Sequence, residues 1–324
     1  MPKIGVTCGL MVARFSDKRM FGLHSSKVGI MSITQVGPFI KWAGGKSQLI
    51  QQFKRFMPDS LDGRGYVEPF VGGGALFFYV KQNLNPKKCT IMDINPELIN
   101  VYNQIQGNVE NFIDCLSTLK QEYIREGITI DEQKLFYYSV RSQHNIVDAT
   151  ERAARFVFLN KTCFNGLHRL NSKGEFNVPI GNYKSPEIYL PEHLRMTSKL
   201  LQGVNIIVGS YTKVTDYVED NDFVYFDPPY EPLSRTSSFT SYTKEDFTQS
   251  DQRGLRDLAE SLSNRCPIML SNSTAEYIET LYDTEPFQKF YVSARRSINS
   301  KSARRGAINE LLVTTYDVPN VTFE

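Results

Sequence analysis

The chain has 324 residues, enough to bury one large core or two smaller ones. Hydrophobic residues make up 41% and charged residues 22%, as in soluble globular proteins, and a net charge of +2 leaves only a local patch for binding nucleic acid. Five cysteines and four histidines are dispersed without metal-ligand or disulfide spacing, and no apolar run approaches the length of a membrane span. We therefore expect a cytoplasmic protein that needs no metal and contacts no membrane.

Residues 1–36 are predicted to form a poorly ordered N-terminal extension. Within them, residues 1–30 carry five basic side chains against the single acid Asp17, and they lack the apolar core of a signal peptide. Met31 would serve equally well as the first residue of the protein.

The segment Phe39–Lys46 is the first candidate for ligand binding. It places Trp42, the one tryptophan of the chain, beside Gly44, Gly45 and Lys46, so a flat apolar surface adjoins backbone that a ligand can approach closely. Apolar residues at helical spacing predict a helix that ends at Pro58; they are Leu49, Ile50, Phe53, Phe56 and Met57. Taken alone, a buried tryptophan beside a solvated lysine explains this segment equally well.

A glycine-rich turn between a strand and a helix is the second candidate. The strand runs into Glu68-Pro69-Phe70, and Gly72 to Gly74 precede an apolar helix, which is the layout of a nucleotide-binding unit. The pattern lacks the dinucleotide fingerprint and the Gly-Lys-Ser/Thr of a phosphate loop, so dinucleotides and triphosphates are disfavoured. The next strand ends at Asp93, whose carboxylate is placed to accept hydrogen bonds from ribose hydroxyls. Pro96 predicts the start of the following helix.

Residues 109–195 have a different character. Helical patterns dominate at first, and a β-hairpin is then predicted with its tip at Ser172-Lys173-Gly174. Between Arg141 and Lys184, seven basic residues outnumber three acidic ones, with aromatic residues interleaved. Such a hairpin can enter a DNA groove, where Arg169 could reach a guanine edge and amides such as Asn171 could donate. An exposed hairpin with ordinary solvated charges is the simpler alternative.

Asp227-Pro228-Pro229-Tyr230 is the strongest candidate for a catalytic motif. It follows four bulky apolar residues, Phe223–Phe226, which predict a strand buried on both faces. The two prolines end the strand because each lacks a backbone donor and fixes φ. Asp227 is thereby left at the edge where open α/β sheets bind ligands. Taken alone, the motif could simply terminate a strand.

The last third of the chain completes the predicted sheet. Residues 231–243 are expected to form a long loop at the edge of the site. After the strand Pro267–Leu270, Ser273 and Glu276 predict a capping box that opens a helix. Five basic residues between 295 and 305 can bind phosphates or form a solvated face. Ile308–Tyr316 is expected to be the strand that closes the sheet.

These motifs, in this order, resemble the α-group of N6-adenine DNA methyltransferases, the Dam-like and DpnII-modification-type enzymes of the D12 class. The resemblance extends from about Pro38 to Tyr316 and is carried by Lys41–Lys46, Glu68–Gly74, Asp93, the Phe164–Pro179 hairpin and Asp227–Tyr230. It implies an α/β fold: a class I S-adenosylmethionine-dependent methyltransferase (Rossmann-like) sheet with an inserted, mostly helical DNA-recognition domain that carries a β-hairpin. Residues 37–108 and 196–324 would form the catalytic domain, and residues 109–195 the target-recognition domain.

The resemblance also implies roles for individual residues. S-adenosylmethionine would be bound by Trp42, Lys46, Glu68, Pro69, Phe70, Gly72, Gly74, Asp93 and Asp227. The catalytic set would be Asp227, Pro228, Pro229 and Tyr230. Lys41, Leu167, Arg169 and Pro179 would face the bases of GATC, Asn165 and Tyr183 would hold the displaced strand or the backbone, and Asn171, Arg304 and Arg305 would add DNA contacts. His168 and Phe164 stand where relatives vary, and no base contact is assigned to them.

The chemistry of the catalytic motif suits an exocyclic amine. Adenine N6 is a poor nucleophile because its lone pair is delocalised, and inside a duplex it cannot be reached unless the base is flipped out. Asp227 and the Pro228 carbonyl could each accept one N6–H bond and stabilise the charge that develops on nitrogen. We therefore expect a site-specific adenine-N6 methyltransferase acting on double-stranded DNA.

Three rival functions remain open. An enzyme acting on single-stranded DNA or RNA would share the motif. A glutamine methyltransferase is less favoured, since asparagine would be expected in place of Asp227. A non-catalytic DNA-binding module would not need the cofactor residues. As partners we expect double-stranded DNA and a possible restriction endonuclease that acts separately, with the protein, bacterial or phage-encoded, as a monomer or weak dimer.

Overall fold

The computed structural model describes residues 35–125, 127–233, 247–295 and 307–318, with the backbone alone at 294, 295, 307 and 308. In these ranges no helix is long and apolar enough to cross a membrane. Across the same residues, no three or more histidine, cysteine, aspartate or glutamate side chains are grouped to hold a metal ion. Residues 1–34 of the predicted extension, most of the predicted loop after Tyr230, and Arg304 and Arg305 lie outside the described residues.

A mixed sheet of seven strands forms the centre of the described structure, in the order β3-β2-β1-β4-β5-β7-β6. The first five strands in that order are parallel, and β7 runs antiparallel to both of its neighbours. The strands are β1 (Gly65–Glu68), β2 (Lys88–Asp93), β3 (Val204–Val208), β4 (Phe223–Phe226), β5 (Ile268–Ser273), β6 (Gln288–Arg295) and β7 (Ala307–Thr314).

Helices cover both faces of the sheet, because its central strands are apolar on both faces. In β4, Phe223 and Tyr225 join one apolar core, whereas Val224 and Phe226 join a second core on the opposite face. The predicted α/β layout is confirmed. The helices are α1 (Ile50–Phe53), α2 (Ala75–Asn83), α3 (Pro96–Gly107), α4 (Val109–Tyr123), α5 (Ile130–Arg141), α6 (Ala149–Thr162), α7 (Pro191–Leu201), α8 (Gln249–Ser263) and α9 (Glu276–Leu281).

Polar side chains gather where the parallel strands end. Because β1, β2, β4 and β5 run in the same direction, their carboxyl ends share one edge of the sheet. Glu68, Asp93 and Ser273 are the last residues of β1, β2 and β5, and Asp227 directly follows β4. The apolar strands thus place three carboxylates and a hydroxyl at the edge that binds ligands in open α/β sheets.

Helices α4 to α6 and a hairpin follow the first two strands. Helix α6 packs on α3 and α4, and the segment after it forms an irregular hairpin with antiparallel bridges at Cys163–Ile180 and Leu170–Phe176. Asn171 shapes the turn, since its side-chain oxygen accepts from the N–H groups of Lys173 (2.9 Å) and Glu175 (3.0 Å). The hairpin tip therefore lies where the sequence predicted it.

Three local predictions are wrong. The helix expected before Pro58 is reduced to a 3-10 turn at Lys46–Gln48 and the single turn α1. Ser273 and Glu276 form no capping box, because β5 extends through Ser273 and α9 starts after Ala275, which makes no side-chain cap. The strand predicted at Ile308–Tyr316 corresponds to β7 and does not close the sheet. It lies between β5 and β6, and β6 was not predicted from the sequence.

Candidate active site

A buried ion pair joins the start of the chain to the end of β4. Lys46 Nζ lies 2.8 Å from Asp227 Oδ1, with Lys46 only 4% exposed and Asp227 18% exposed. The same ammonium donates to the Gly44 carbonyl at 2.6 Å. Burial raises the pKa of Asp227 to about 6, although the Lys46 ammonium acts in the opposite direction. Lys46 therefore favours the ionised form of a carboxylate that burial would otherwise protonate.

The backbone of the two prolines after Asp227 is anchored by a side chain of α8. Pro228 is buried and Pro229 exposed, and the Pro229 carbonyl accepts from Gln252 Nε2 at 2.9 Å. Gln252 in turn accepts from the side chain of Asn272 at 3.0 Å. This relay from α8 and β5 holds the backbone beside Asp227 in one position.

Tyr230 completes the catalytic motif. Its hydroxyl donates to Glu310 Oε2 on β7 at 2.7 Å, and Lys46 Nζ lies 4.6 Å from the centre of its ring. A cation close to an aromatic ring is attracted by the negative face of the π system. The ring of Tyr230 is thus fixed at its hydroxyl and by the ammonium that pairs with Asp227.

The glycine turn packs against Trp42. Gly72 has φ +47°, and a Cβ there would lie 2.6 Å from Trp42 Cδ1 and 2.7 Å from Nε1. Its N–H donates to Asp93 Oδ2 at 3.1 Å, and its carbonyl accepts from the Tyr102 hydroxyl at 3.0 Å. Only glycine combines this backbone conformation with such a close indole contact. Gly74, at φ +72°, is similarly confined, since a Cβ there would lie 2.6 Å from the Tyr102 hydroxyl oxygen.

Two further carboxylates lie at this edge. Asp93 also accepts from the N–H of Asn95 at 2.9 Å, and burial raises its pKa to about 6. Glu68 is 2% exposed, accepts from the Tyr66 hydroxyl at 2.7 Å, and has its pKa raised to about 8 by burial. Asp227 raises it further, so Glu68 and Asp227 are close enough to interact electrostatically.

The two residues after Glu68 pack at the same edge of the sheet. Pro69 is buried. The Phe70 ring packs against Tyr211, with 5.5 Å between ring centres, and against Phe247 at 5.9 Å. The structure therefore brings together at one edge of the sheet every residue expected to bind the cofactor.

Part of the set expected to face DNA lies next to Trp42. Lys41 Nζ lies 4.0 Å from the centre of the Tyr183 ring. A cleft next to the hairpin is lined by Lys41, Trp42, Ala43, Asn165, Gly166 and Leu167. Gly166 has φ +65°, and a Cβ there would lie 2.5 Å from the Lys41 Cβ, so this crossing requires glycine.

Asn160 of α6 connects the two sides of that cleft. Its side chain accepts from the Lys41 N–H at 2.9 Å and donates to the carbonyls of Lys41 at 2.7 Å and Gly166 at 3.1 Å. His168, whose ring lies 5.9 Å from that of Trp42 and 5.8 Å from that of Phe176, adds an aromatic connection. The hairpin is thereby attached to the segment that also holds Trp42 and Lys46.

The remaining hairpin residues differ in their surroundings. Arg169 is exposed, and its Nε donates to Asn177 Oδ1 at 2.7 Å. Asn171 is engaged in the turn and donates to Glu175 at 2.9 Å. Pro179 is exposed, and its carbonyl accepts from the Phe164 N–H at 2.8 Å.

Four polar residues of this region were not predicted from the sequence. Glu310 accepts from the Tyr230 hydroxyl, Gln252 donates to the Pro229 carbonyl, and Asn160 donates to the Gly166 carbonyl. Asn272 supports them indirectly, because it donates to Gln252 and accepts from the N–H of Glu231. Asn160 and Asn272 are nearly inaccessible to solvent, at 3% and 0% exposure. Their amide side chains were a usable signal in the sequence, because a buried polar group needs a hydrogen-bond partner.

Comparisons with known proteins agree with this geometry. Residues 42–305 match the family model described as D12 class N6 adenine-specific DNA methyltransferase. The chain is 45% identical over 292 residues to the Type II methyltransferase M.MjaIII of Methanocaldococcus jannaschii, covering 87% of this chain and 100% of that protein. It is 41% identical over 287 residues to the Type II methyltransferase M1.LlaDCHI of Lactococcus lactis subsp. cremoris, covering 86% and 95%.

A third relative carries a more specific name. The chain is 37% identical over 282 residues to the DNA adenine methylase of Vibrio cholerae, covering 85% of this chain and 94% of that protein. The expected resemblance and the expected class I methyltransferase fold are both confirmed. The chain belongs to the D12 class of N6 adenine-specific DNA methyltransferases and is an adenine-specific DNA methyltransferase.

Proposed function

We propose that this enzyme transfers a methyl group from S-adenosylmethionine to N6 of adenine in double-stranded DNA, at GATC, after the adenine has been flipped out of the helix. The observation that carries the proposal is the position of Asp227, a buried carboxylate at the ligand-binding edge, paired with Lys46 at 2.8 Å. A carboxylate held in its ionised form is the acceptor that an exocyclic amine requires.

The residues around the glycine turn fit the cofactor. The indole of Trp42 occupies the space that a side chain at Gly72 would fill, and its aromatic face suits a sulfonium cation. Asp93 uses one bond on each of its oxygens, which leaves lone pairs for ribose hydroxyls. Glu68 offers a buried carboxyl group, which its pKa of about 8 keeps protonated at neutral pH, and Lys46 offers a positive charge to the amino acid end. When bound, S-adenosylmethionine supplies an electrophilic methyl group.

Asp227 and Pro228 act on the target amine. The carboxylate of Asp227 and the carbonyl of Pro228 each accept one N6–H bond, which turns the nitrogen lone pair towards the methyl group. Both acceptors stabilise the positive charge that develops on nitrogen, and Asp227 is placed to hold the proton that nitrogen then loses. Tyr230 stacks on the flipped base, a contact worth about 1–3 kcal/mol. Pro229 keeps the turn rigid.

Recognition is assigned to residues 109–195, as a target-recognition domain beside a catalytic domain of residues 37–108 and 196–324. Lys41, Leu167, Arg169 and Pro179 face the bases, Asn165 and Tyr183 hold the displaced strand or backbone, and Asn171, Arg304 and Arg305 add DNA contacts. The support is the attachment of the hairpin to Lys41 through Asn160, and the exposure of Arg169. An exposed guanidinium can bond a guanine edge in two places.

The test is methylation of three matched substrates of the same sequence: duplex DNA containing GATC, its single strand, and the corresponding RNA. We expect transfer to the duplex to be much the fastest, and we expect it to disappear when GATC is replaced by GTAC, which is also the same on both strands. Faster transfer to single-stranded DNA or RNA would favour the rival substrate classes. The sequence also leads us to propose a monomer or weak dimer and a restriction endonuclease acting separately on the same site.

A further inference from the structure

Glu310 is a carboxylate at the active site that the catalytic motif does not include. It lies on β7, where it pairs with Ser273 of β5 on one side and Val292 of β6 on the other. Its Oε2 accepts from the Tyr230 hydroxyl at 2.7 Å and lies 4.0 Å from Lys46 Nζ. Its side chain is 20% exposed, so solvent screens this contact less than it would at the surface.

Lys46 therefore lies between two carboxylates. Its ammonium is 2.8 Å from Asp227 and 4.0 Å from Glu310, while the Tyr230 ring lies beside it. A hydroxyl that donates to a carboxylate is held more strongly than one that donates to a neutral oxygen. The four groups come from three separate parts of the chain and restrict one another's positions.

We propose that Glu310 is a positioning residue for methyl transfer: it fixes the ring of Tyr230 through its hydroxyl and shares the charge of Lys46 with Asp227. The inference rests on the proposed function, because it assumes that Tyr230 stacks on the adenine and that Asp227 accepts its N6–H bonds. It adds a residue of β7 to a site otherwise built from β1, β2, β4 and β5, helix α8 and the segment around Trp42.

Lys46 and Glu310 change the pKa of Asp227 in opposite directions. The charged and titratable groups that face Asp227 are Lys46 from the N-terminal segment, Glu310 from β7, Glu68 from β1, Tyr225 from β4, and Tyr230 just after it. After burial, which raises the pKa of Asp227, Lys46 lowers it and Glu310 raises it. Removing the charge of Glu310 should therefore lower the pKa of Asp227, so that Asp227 stays ionised at more acidic pH.

The experiment compares Glu310→Gln with a matched control, Glu279→Gln. Glu279 of α9 has the same kinds of partner, since it accepts from the Tyr291 hydroxyl at 3.0 Å and lies 3.6 Å from Lys289 Nζ. The single-turnover methylation rate is measured against pH. The proposal expects the acid limb of the Glu310→Gln profile to move down by at least about 0.3 pH unit, with Glu279→Gln unchanged. An unmoved acid limb in Glu310→Gln would overturn the electrostatic part.

Positioning of the ring is tested by a double-mutant cycle with Tyr230→Phe, which keeps the ring and removes the hydroxyl. This cycle uses Glu310→Ala, because glutamine would keep an oxygen able to accept from the Tyr230 hydroxyl. We expect each single variant to lose several-fold in single-turnover rate, and the double variant to lose less than the product of the two single losses, because the Tyr230–Glu310 hydrogen bond is absent from all three. Losses that multiply would overturn the positioning role. Thermal unfolding of each variant separates this result from simple destabilisation.

A readout independent of methylation distinguishes failure of this inference from failure of the proposed function. Carbon-13 labelling of aspartate carboxyl groups, assigned with Asp227→Asn, gives the pKa of Asp227 directly. If the pKa of Asp227 were lower in Glu310→Gln but the wild-type enzyme were inactive on duplex DNA, the proposed function would be contradicted. The electrostatic coupling between Glu310 and Asp227 would still stand. An unchanged pKa in an active enzyme would contradict the coupling alone.

Discussion

The ammonium of Lys46 lies 2.8 Å from the carboxylate of Asp227, and both groups are largely removed from solvent. Because this cation lowers the pKa of Asp227 against the effect of burial, Lys46→Met should raise that pKa. A larger share of Asp227 would then be protonated at neutral pH, and that share would lose acceptor capacity. We expect the acid limb of the rate profile to move to higher pH, with partial recovery of the rate in alkaline buffer.

Lys88→Met is the control for that measurement. Lys88 pairs with Glu219 at 2.8 Å and with Asp222 at 3.3 Å, and these partners do not belong to the active site. Its removal should leave the position of the acid limb unchanged. If Lys46→Met and Lys88→Met gave the same profile, Lys46 would have no role in the ionisation of Asp227.

Gly72 is expected to be essential for cofactor binding. Gly72→Ala would place a methyl group 2.6 Å from Trp42 Cδ1, so the indole or the turn must move. Gly203→Ala has comparable backbone strain at φ +73° but no atom within 4 Å. We expect both variants to lose about 1 kcal/mol of stability or more, and only Gly72→Ala to bind S-adenosylmethionine more weakly, by at least about tenfold. Titration calorimetry measures the affinity; equal affinities would contradict the assigned role of this turn.

Glu68 should make the protein less stable as the pH rises. Burial raises its pKa from 4.5 to about 8 in the folded state, so between these values the folded protein binds more protons than the unfolded chain. The free energy of unfolding therefore falls with increasing pH across this window. Asp93 and Asp227 act in the same direction up to about pH 6.

Urea unfolding of Glu68→Gln without added cofactor tests this effect. Glutamine carries no charge, so the loss of stability between pH 6 and pH 8 should become smaller than in the wild type. Glu110→Gln provides a control, because bonding to Arg195 lowers the pKa of Glu110 from 4.5. Glu110 is therefore ionised in both the folded and the unfolded state between pH 6 and pH 8, and its replacement should leave the pH dependence in that window unchanged. An identical pH dependence in Glu68→Gln and the wild type would show that Glu68 is ionised in the folded protein.

Variants of Arg169 and Lys173 distinguish a residue that contacts bases from one that contacts phosphates. Arg169→Ala should relax discrimination at one guanine, at a cost of about 1–3 kcal/mol. Lys173→Ala, at the exposed hairpin tip, should weaken binding to all sequences alike and reduce the salt dependence. Affinities for GATC duplexes and single-base variants, measured over a range of salt concentrations, test both. An unchanged specificity profile for Arg169→Ala would remove it from the base-reading set.

Much of the site could be predicted from the sequence, because its motifs are local. Phe223–Phe226 forms the expected buried strand, and the glycines lie between β1 and α2 as expected. Asp227 required only the rule that parallel strands end at one edge, and Lys46 was predicted from the adjacent Trp42, Gly44 and Gly45. Each of these predictions depended on neighbouring residues alone.

The contacts made between distant segments could not be predicted. Glu310 reaches Tyr230 only because β7 is inserted antiparallel between β5 and β6, and strand order is not encoded in local periodicity. Ser273 matched a capping pattern, yet pairing with β7 extended β5 through it, since tertiary pairing overrides a local cap. Asn160 lies in an otherwise ordinary helix, and its role depends on where Lys41 and Gly166 cross.

The most direct test of the central claim is to map methylated adenines on plasmid DNA. Unmethylated plasmid is incubated with S-adenosylmethionine and either the wild-type enzyme or Asp227→Ala, and modified adenines are located by sequencing. We predict N6-methyladenine at GATC with the wild type, and a rate at least about 100-fold lower with folded Asp227→Ala. Methylation at a different recurrent sequence would correct the target from GATC to that sequence and would not contradict the proposed chemistry. Near-normal methylation by folded Asp227→Ala, or no adenine methylation by the folded wild type, would contradict the claim that Asp227 directs methyl transfer to adenine N6.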